Sequence, residues 1–383
     1  MKLSIHRLAF LKKLADVQRA IPSRTTIPIL TGVKLLATND SLVITGSDSD
    51  VSIEMTILVE DEDTQLVVHE PGSIVLPAKF FSEIIKKLPS DVFTLTIDSN
   101  KKATITAGNA SFTLIGIDAA EYPHLPELEV EQVVELPVPI FRQIIQNTSI
   151  AISTMESRPL LTGIHILIKD GLLKAVATDS HRLSQRIIPL PASVGGQNVT
   201  YDFTIPGKTL VELSRIVEGL ESISMSITDN QVLFHTDRLS FYSRLLDGRY
   251  PDTDRLITND SNTTLTMVAS ELLSAIERAS LMSHVGNNNI VKLSLKASEA
   301  QLTGHSPEIG TVKEELVYQS ITGDDLEISF NPDYMKDALR QFGQAEISIH
   351  FLSPVRPFTL RPTESTLDID YNFIQLITPV RTF

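Results

Sequence analysis

The feature that most constrains this chain is an internal repeat with a period of about 130 residues. The stretch 25–33 (TTIPILTGV) recurs as 156–164 (ESRPLLTGI), and 46–50 (GSDSD) recurs as 177–181 (ATDSH). Both pairs lie at an offset of 131 residues. Because repeated sequence folds into repeated structure, the chain is predicted to contain several copies of one folding unit.

A third copy of the repeat is fainter than the first two. Pro332 lies 126 residues after Pro206, and each proline stands beside a stretch with helical periodicity. Changes in loop length account for the drift in the offset. The spacing predicts three domains in the 383 residues, at 1–128, 129–255 and 256–383.

Each repeat is predicted to belong to the α+β class, with two helices packed on antiparallel sheets. In the first repeat, apolar residues at helical spacing predict a helix over residues 6–20, and two prolines bracket a second helix over about 78–88. The remaining segments alternate in hydrophobicity and are joined by short turns such as Asn39-Asp40. This pattern is typical of antiparallel strands.

Charge is distributed unevenly along the chain. The formal net charge is −14, which argues against a simple basic nucleic-acid-binding protein. Six predicted helical segments nevertheless sum to +4, which leaves −18 on the rest of the chain. If the helices line one surface, that surface attracts phosphate while the rest of the molecule repels it. The alternative is that Lys and Arg are common there because they are good helix formers.

Any contact with nucleic acid is predicted to involve the phosphate backbone and to be independent of base sequence. The helical segments offer no aromatic platform for stacking and no cluster suited to reading base edges. The candidate phosphate contacts from the helix argument are Lys12, Lys13, Arg19, Lys79, Lys86, Lys87, Arg142, Lys208, Arg215, Lys336 and Arg340.

Two short motifs resemble catalytic signatures but fit other roles better. Gly207-Lys208-Thr209 ends like a phosphate-binding loop, but residue 202 is Asp where that motif needs Gly. Gly207 is therefore interpreted as the residue at which a helix begins. Asp179-Ser180-His181 has the residue types of a hydrolase triad. Neighbouring residues of one strand point to opposite faces, so these three side chains could not align as nucleophile, base and orienting group. The segment is therefore predicted to have a loop or pocket role instead.

Several other kinds of site are excluded or disfavoured. Cysteine is absent, so no disulfide, zinc–thiolate site or thiol nucleophile is possible. The nine histidines show no metal-binding spacing, and no cofactor is predicted. No signal peptide and no uncharged apolar run of about 18 residues is visible, so neither export nor a membrane span is expected.

Three stretches together resemble the bacterial DNA polymerase III β subunit family, the sliding clamps. They are residues 24–30 (RTTIPIL), residues 175–183 (AVATDSHRL) with 247–251 (DGRYP), and residues 375–383 (QLITPVRTF), whose Thr-Phe ending is similar to the Gram-positive members. The resemblance covers the whole chain. It implies a non-enzymatic homodimer in which two chains, joined head to tail, form a ring of six domains around double-stranded DNA. Such a ring would tether the replicative polymerase for processive synthesis in the cytoplasm, at the nucleoid.

The resemblance also implies a pocket for short linear peptides of the replicative polymerase, the clamp loader and repair or translesion polymerases. Its residues, carried over one by one, are Leu161, Thr178, Ser180, His181, Arg182, Leu183, Pro251, Leu256, Leu376, Thr378, Pro379, Val380 and Arg381. Arg24 matches a family position associated with contacts to duplex DNA. Some members carry Gly in place of Ser180 and a Met-rich tail in place of Thr378 and Val380, so the peptide preference stays open.

Two other functions stay open at this point. One is a protein-interaction scaffold of repeated domains that never touches DNA. The other, less well supported, is a hydrolase that uses Ser180 and His181.

Overall fold

The structure is a computed structural model that describes residues 1–125, 133–190, 200–283, 289–363 and 372–381. The predicted boundary between residues 128 and 129 lies outside the described residues, and so do Thr382 and Phe383. The position of each domain boundary stays a prediction.

Six α-helices form within the described ranges, and they fall in pairs along the repeats. Their bounds are α1 Arg7–Gln18, α2 Ala78–Lys87, α3 Val138–Ser149, α4 Gly207–Ile216, α5 Ala269–Ser283 and α6 Pro332–Arg340. Local chemistry explains where α6 begins, because the Asn331 side chain accepts a hydrogen bond from the N–H of Asp333 and Pro332 occupies the first turn. α4 ends at Ile216, shortly before Gly219, whose φ of 87° interrupts a helix.

Short strands make up most of the remaining chain. The first repeat contributes β1 Lys2–His6, β2 Gly32–Ala37, β3 Ser41–Ser47, β4 Val51–Leu58, β5 Val67–Glu70, β6 Gly72–Pro77, β7 Val92–Ile97, β8 Lys102–Ala107 and β9 Ala110–Ile115. The second contributes β10 Val133–Pro137, β11 Gly163–Lys169, β12 Leu172–Thr178, β13 Arg182–Pro189, β14 Tyr201–Pro206, β15 Ser222–Ile227, β16 Gln231–His235 and β17 Leu239–Arg244. The third contributes β18 Thr263–Val268, β19 Val291–Lys296, β20 Glu299–Ser306, β21 Gly310–Glu315, β22 Ser320–Gly323, β23 Leu326–Phe330, β24 Glu346–Phe351, β25 Phe358–Pro362 and β26 Phe373–Ile377.

The first of two compact units contains Met1–Pro139 and Glu212–Leu245. Its two sheets have the strand orders β5-β1-β7-β8-β9 and β10-β15-β16-β17-β4-β3-β2-β6. The second sheet joins strands of two repeats, because β17 pairs with β4. In this unit α1 and α2 pack on a core where Phe10 meets Phe81 and Phe93 edge to face, at ring distances of 5.7 and 5.4 Å.

The second unit contains Ile140–Val211 and Leu246–Phe383. Its sheets have the orders β14-β11-β12-β13-β26-β25-β24-β18-β22 and β21-β20-β19-β23. Here too one sheet joins two repeats, because β13 pairs with β26. Buried apolar residues of α5, α6 and the surrounding strands form one continuous core.

The predicted fold class is confirmed. Every strand pair among the described residues is antiparallel, and the helices described there are few and short. The sequence pattern missed β5, a four-residue edge strand whose side chains are mostly exposed and therefore do not alternate in hydrophobicity.

Candidate peptide-binding site and basic residues

The centre of the predicted peptide site is the turn between β12 and β13, which we call the second-repeat turn and define as Thr178–Arg182. Asp179 Oδ1 accepts hydrogen bonds from the backbone N–H groups of His181 at 2.9 Å and Arg182 at 3.0 Å. Ser180 has a φ of 79°, and its N–H donates to Thr178 Oγ1 at 3.1 Å. The short polar side chains thus replace the strand ladder and fix the backbone of the turn.

Arg182 forms the polar edge of this site together with α6. Its Nε donates to Asp179 Oδ2 at 3.0 Å, and its Nη1 donates to Asp337 Oδ2 at 2.7 Å. The guanidinium lies 4.6 Å from the ring centre of Tyr334, and the His181 ring stacks on the same tyrosine with the ring centres 6.3 Å apart. Burial raises the pKa of Tyr334, and the nearby Asp179 carboxylate adds to the effect. These contacts hold a cation, an imidazole and a phenol ring side by side.

An apolar cluster lies beneath the turn. Leu161, Leu183 and Leu376 are buried and pack together with Val176 and Tyr250. Strand pairing brings them together, because Leu183 stands opposite Leu376 in the β13–β26 register. Aliphatic walls of this kind suit the apolar side chains of a peptide.

Tyr250 ties the apolar cluster to the turn. Its Oη accepts a hydrogen bond from the N–H of Thr178 at 3.1 Å. Its ring stacks on His165 with the ring centres 4.8 Å apart and the planes 7° apart. Burial raises the pKa of Tyr250, so the phenol stays protonated at neutral pH.

The C-terminal tail runs alongside the turn. The N–H of Thr378 donates to the backbone oxygen of His181 at 2.8 Å, and the N–H of Val380 donates to the backbone oxygen of Ser329 at 2.7 Å. Pro379 is buried, whereas Arg381 is exposed. The tail is therefore held by backbone hydrogen bonds on both sides of Pro379.

The structure brings most of the predicted pocket residues together, but Leu256 is less closely involved. Leu256 is 49% exposed in a single 3-10 turn, and it is the next residue, Ile257, that packs against the apolar cluster. Pro251 is exposed and directly follows the buried Tyr250. The functional role of each pocket residue stays a prediction.

Sequence reasoning missed Tyr334, Asp337 and Arg158, whose contacts shape this site. Tyr334 and Asp337 lie in α6, and nothing in the local pattern of that helix indicates a contact with the second-repeat turn. Arg158 Nη1 donates to Ser180 Oγ at 3.0 Å. The sequence does contain a signal for Tyr250, because the pair Tyr122-Pro123 of the first repeat recurs as Tyr250-Pro251 in the second.

The contacts of the Asp-Ser-His segment differ from those of a hydrolase triad. The segment is a turn and not part of a strand, so the expected alternation of side chains does not apply to it. The Asp179 carboxylate is occupied by two backbone N–H groups and by Arg182, and the Ser180 hydroxyl accepts from Arg158. A triad needs the carboxylate on the imidazole and the imidazole on the hydroxyl, and neither contact is made.

The predicted phosphate contacts separate into three groups. Five are exposed and form no ion pair with a described residue: Lys12, Arg24, Lys79, Lys87 and Lys208. Lys13 and Arg142 are half-buried. The ion-paired group comprises Arg19, Lys86, Arg215, Lys336 and Arg340.

Ion pairing weakens the case for two members of the ion-paired group, Lys336 and Arg340. Lys336 pairs with Asp333 at 2.7 Å, and its side chain is only 13% exposed. Arg340 lies 3.2 Å from a Glu277 oxygen and 3.4 Å from an Asp337 oxygen. Since these two charges are already paired with carboxylates, the exposed residues that form no ion pair are better placed to meet phosphate.

In the described part of the chain, no helix is both long enough and apolar enough to cross a membrane. Within the same residues, no group of three or more His, Asp or Glu side chains is arranged to hold a metal ion.

Models of three domains of one family match the chain in order. The N-terminal, central and C-terminal domains of the DNA polymerase III beta subunit match residues 1–126, 135–252 and 254–381. A "beta sliding clamp" of Bacillus subtilis is 44% identical over 387 residues, with all of both chains covered.

Solved structures agree with the sequence matches. The crystal structure of the Bacillus subtilis DNA polymerase sliding clamp superposes with a TM-score of 0.95 at 44% identity, and covers all of both chains. The DNA polymerase III beta chain of Streptococcus pneumoniae gives a TM-score of 0.94 at 40% identity, also over all of both chains. The chain is thus built from three clamp domains, and it belongs to the DNA polymerase III beta subunit family of sliding clamps.

Proposed function

We propose that this protein is a sliding clamp in which two copies, joined head to tail, encircle duplex DNA and hold a replicative polymerase at the primer end. One observation carries the proposal. The last strand of the second repeat and the last strand of the third repeat each pair with a strand of the preceding repeat, in equivalent registers. The equivalent strands at the two ends of the described chain, one in the first repeat and one in the third, lack such a partner there.

The two internal junctions are equivalent. In the first unit β17 pairs with β4, and Tyr242 stands opposite Ser52. In the second unit β26 pairs with β13, and Leu376 stands opposite Leu183. Positions 52 and 183 are related by the repeat offset of 131, so the same junction is built twice.

The series continues only if a second copy is present. The strand of the third repeat that corresponds to β4 and β13 is β21, and the strand of the first repeat that corresponds to β17 and β26 is β9. Both are outer strands of their sheets, with unpaired backbone groups along one side. Pairing β9 with β21 of a second copy, and the reverse, closes the assembly after two chains.

The exposed side chains of β9 fit such a junction. Phe112 is 37% exposed and Ile115 is 80% exposed, which is unusual for large apolar side chains on a free surface. Phe112 faces Ile105 in its hairpin as Phe241 faces Phe234 in the corresponding hairpin. Continuing the register of the internal junctions would place Phe112 opposite Val312 of the second copy.

A closed ring explains how a protein can be both processive and mobile. A protein held on DNA by direct contacts gains affinity at the expense of movement, whereas a ring dissociates only when it opens. Phosphate contacts can therefore stay weak and independent of sequence, so that the ring slides. A polymerase bound to the ring meets the primer end at a high effective concentration.

The basic residues fit the inner surface of this ring. We assign Lys12, Arg24, Lys79, Lys87 and Lys208 to the DNA-facing surface, because they are exposed and unpaired within the described chain. The strongly acidic remainder would discourage DNA from binding outside the hole. Because its proposed partners are DNA and a DNA-bound polymerase, we propose that the protein acts in the cytoplasm, at the nucleoid.

The pocket around the second-repeat turn is proposed to bind short linear peptides of the replicative polymerase, the clamp loader and repair or translesion polymerases. The buried Leu161, Leu183 and Leu376 supply the apolar wall, and the Arg182–Tyr334 contact supplies a polar edge. An apolar wall beside a polar edge suits a peptide that presents apolar side chains together with polar groups. A shared pocket lets the partners compete for one clamp.

Topological binding is tested by loading the protein on nicked circular DNA with an ATP-driven clamp loader and then cutting the circle. We expect the protein to stay on the circle in high salt and to leave once free ends appear. Phe112→Asp is the matched control, because it places a charge at the proposed junction and should yield a monomer of about 42.3 kDa that is not retained. Retention of the unaltered protein on linear DNA with free ends would contradict the ring.

A scaffold that never touches DNA is the alternative. It predicts no salt-dependent affinity for DNA at all, and no loss of function in the double variant Lys12→Glu with Arg24→Glu. A clamp loses DNA affinity in this double variant, with a shallower dependence on salt.

A further inference from the structure

The first repeat contains a turn with the same construction as the second-repeat turn. We call Ser47–Val51 the first-repeat turn. Asp48 Oδ1 accepts the N–H groups of Asp50 at 3.0 Å and Val51 at 2.7 Å, and the N–H of Ser49 donates to Ser47 Oγ at 3.2 Å. Ser49 has a φ of 83°, close to the 79° of Ser180. The backbone of the peptide site is therefore present twice in the chain.

The strand beside the first-repeat turn is also equivalent. The N–H of Arg244 donates to the backbone oxygen of Asp50 at 2.9 Å, as the N–H of Thr378 donates to that of His181 at 2.8 Å. Arg244 thus occupies the position that Thr378 has beside the second-repeat turn.

A cavity of about 300 Å³ opens at this place in the first unit. Its lining includes Ser47, Ser52, Tyr242, Arg244 and Gln231. Four of these correspond to residues of the proposed peptide pocket, namely to Thr178, Leu183, Leu376 and Thr378. The cavity lies where a second copy of that pocket is expected from the repeat.

The chemistry of the two sites differs. Ser52 and Tyr242 stand where the peptide pocket has Leu183 and Leu376, so the apolar wall is replaced by hydroxyl groups. Ser47 and Ser52 are buried, and their hydroxyls lie 2.7 Å apart. The cavity is therefore suited to a polar ligand and not to an aliphatic one.

Two groups indicate which polar ligand fits. The side chain of Arg244 is 63% exposed, and its Nη1 forms an ion pair of 3.8 Å with Asp50 Oδ1 that is too long for a hydrogen bond. Its donors are available to a carboxylate. Gln231 Oε1 is buried and has no hydrogen-bond partner among the described residues, so it can accept an N–H.

We propose that this cavity is a second peptide-binding site, selective for an acidic side chain. The carboxylate of the peptide binds the Arg244 guanidinium, and a peptide N–H donates to Gln231 Oε1. The inference rests on the proposed peptide pocket for the class of ligand, but the two sites are chemically distinct. The clamp would then bind apolar and acidic peptides at two separate sites that share the same repeated backbone conformation.

Fluorescence polarisation with two labelled peptides tests the proposal on the full-length dimer. The acidic probe is fluorescein-Gly-Ser-Asp-Ser-Gly-amide, and its matched control has Asn in place of Asp. A third probe with Leu in place of Asp reports on the proposed peptide pocket. We expect saturable binding of the acidic probe and binding about tenfold weaker for the Asn probe, because only the carboxylate forms the charged hydrogen bonds with Arg244.

Three variants locate the binding. Arg244→Glu should weaken the acidic probe by about tenfold or more and leave the Leu probe unchanged. Arg356→Glu changes an exposed arginine outside both sites and should affect neither probe. Leu183→Ala should weaken the Leu probe alone. Arg244 is exposed, so its replacement should not alter the circular dichroism spectrum or the melting temperature.

The outcomes separate the two sites. Equal binding of the Asp and Asn probes, or an acidic-probe affinity within about twofold of the original in Arg244→Glu, would overturn the second site. Failure of the acidic probe to bind at millimolar concentration would overturn it as well. Failure of the Leu probe to bind the unaltered protein, while the acidic probe binds, would instead count against the proposed peptide pocket.

Discussion

The first-repeat turn and the second-repeat turn have the same backbone and different surroundings. Each is held by an aspartate that accepts two backbone N–H groups and by a serine with positive φ. Beneath the second turn lies a cluster of leucines, whereas serine hydroxyls and a tyrosine lie beside the first. A repeated backbone thus fixes where a site can form, and the side chains that contact it decide what the site binds.

The apolar wall should be the most sensitive element of this comparison. Leu183→Ser removes a fully buried aliphatic side chain, so we expect a loss of about 3 kcal/mol in the free energy of unfolding and a loss of binding of Leu-containing peptides. Ser52→Ala at the equivalent position should cost about 1 kcal/mol or less, because it removes one hydroxyl contact. Urea unfolding measures both. Equal losses of stability in the two variants would contradict the inferred difference between the apolar wall at Leu183 and the polar wall at Ser52.

The aspartates of the turns should respond differently to amidation. Asp179→Asn keeps an acceptor for the two backbone N–H groups but removes the charge paired with Arg182, so we expect a cost of about 2 kcal/mol. Asp48→Asn should be nearly neutral, since the hydrogen bonds of its carboxylate are those to backbone N–H groups. Thermal unfolding of the two variants provides the measurement. A larger loss of stability for Asp48→Asn than for Asp179→Asn would contradict the inference that the Asp179–Arg182 ion pair distinguishes the two turns.

Tyr250 should couple the apolar cluster to the second-repeat turn. Tyr250→Phe leaves the buried N–H of Thr178 without its acceptor, which should cost about 1.5 kcal/mol and weaken peptide binding at the turn. Tyr318→Phe, at a partly buried tyrosine elsewhere in the same unit, provides the matched control. Peptide affinity that is unchanged in Tyr250→Phe would show that the turn does not depend on this hydrogen bond.

The smallest expected effect concerns pH and His165, which stacks on Tyr250 in the second repeat. Burial lowers the pKa of His165, and the Asp202 carboxylate at 3.7 Å partly offsets this. The unfolded chain therefore binds more protons than the folded chain as the pH falls toward and below about 6.5, so stability falls with pH in that range.

His165→Gln should reduce this dependence by about 1 kcal/mol or less between pH 7.5 and 5.5. Urea midpoints at the two pH values measure it, and His69→Gln at an exposed histidine is the control. If the difference between the two midpoints is the same in His165→Gln as in the original protein, other groups are responsible for the pH dependence.

The sequence by itself determined the repeat and with it the kinds of element in each copy. Hydrophobic periodicity and turn residues are local, so they predicted the helices at Arg7–Gln18 and Ala78–Lys87 to within two residues at each end. The recurrence of 46–50 at 177–181 also indicated two related turns.

Only the tertiary structure decided which strands meet and which side chains share a site. Outer strands of different repeats have similar patterns, so local sequence does not specify that β13 pairs with β26 or β4 with β17. The contact of Arg182 with Asp337 likewise joins residues 155 positions apart. Local sequence sets the propensity of each segment, but the choice of partner is made by packing and hydrogen bonding across the whole fold, and those contacts leave no periodic trace in the chain.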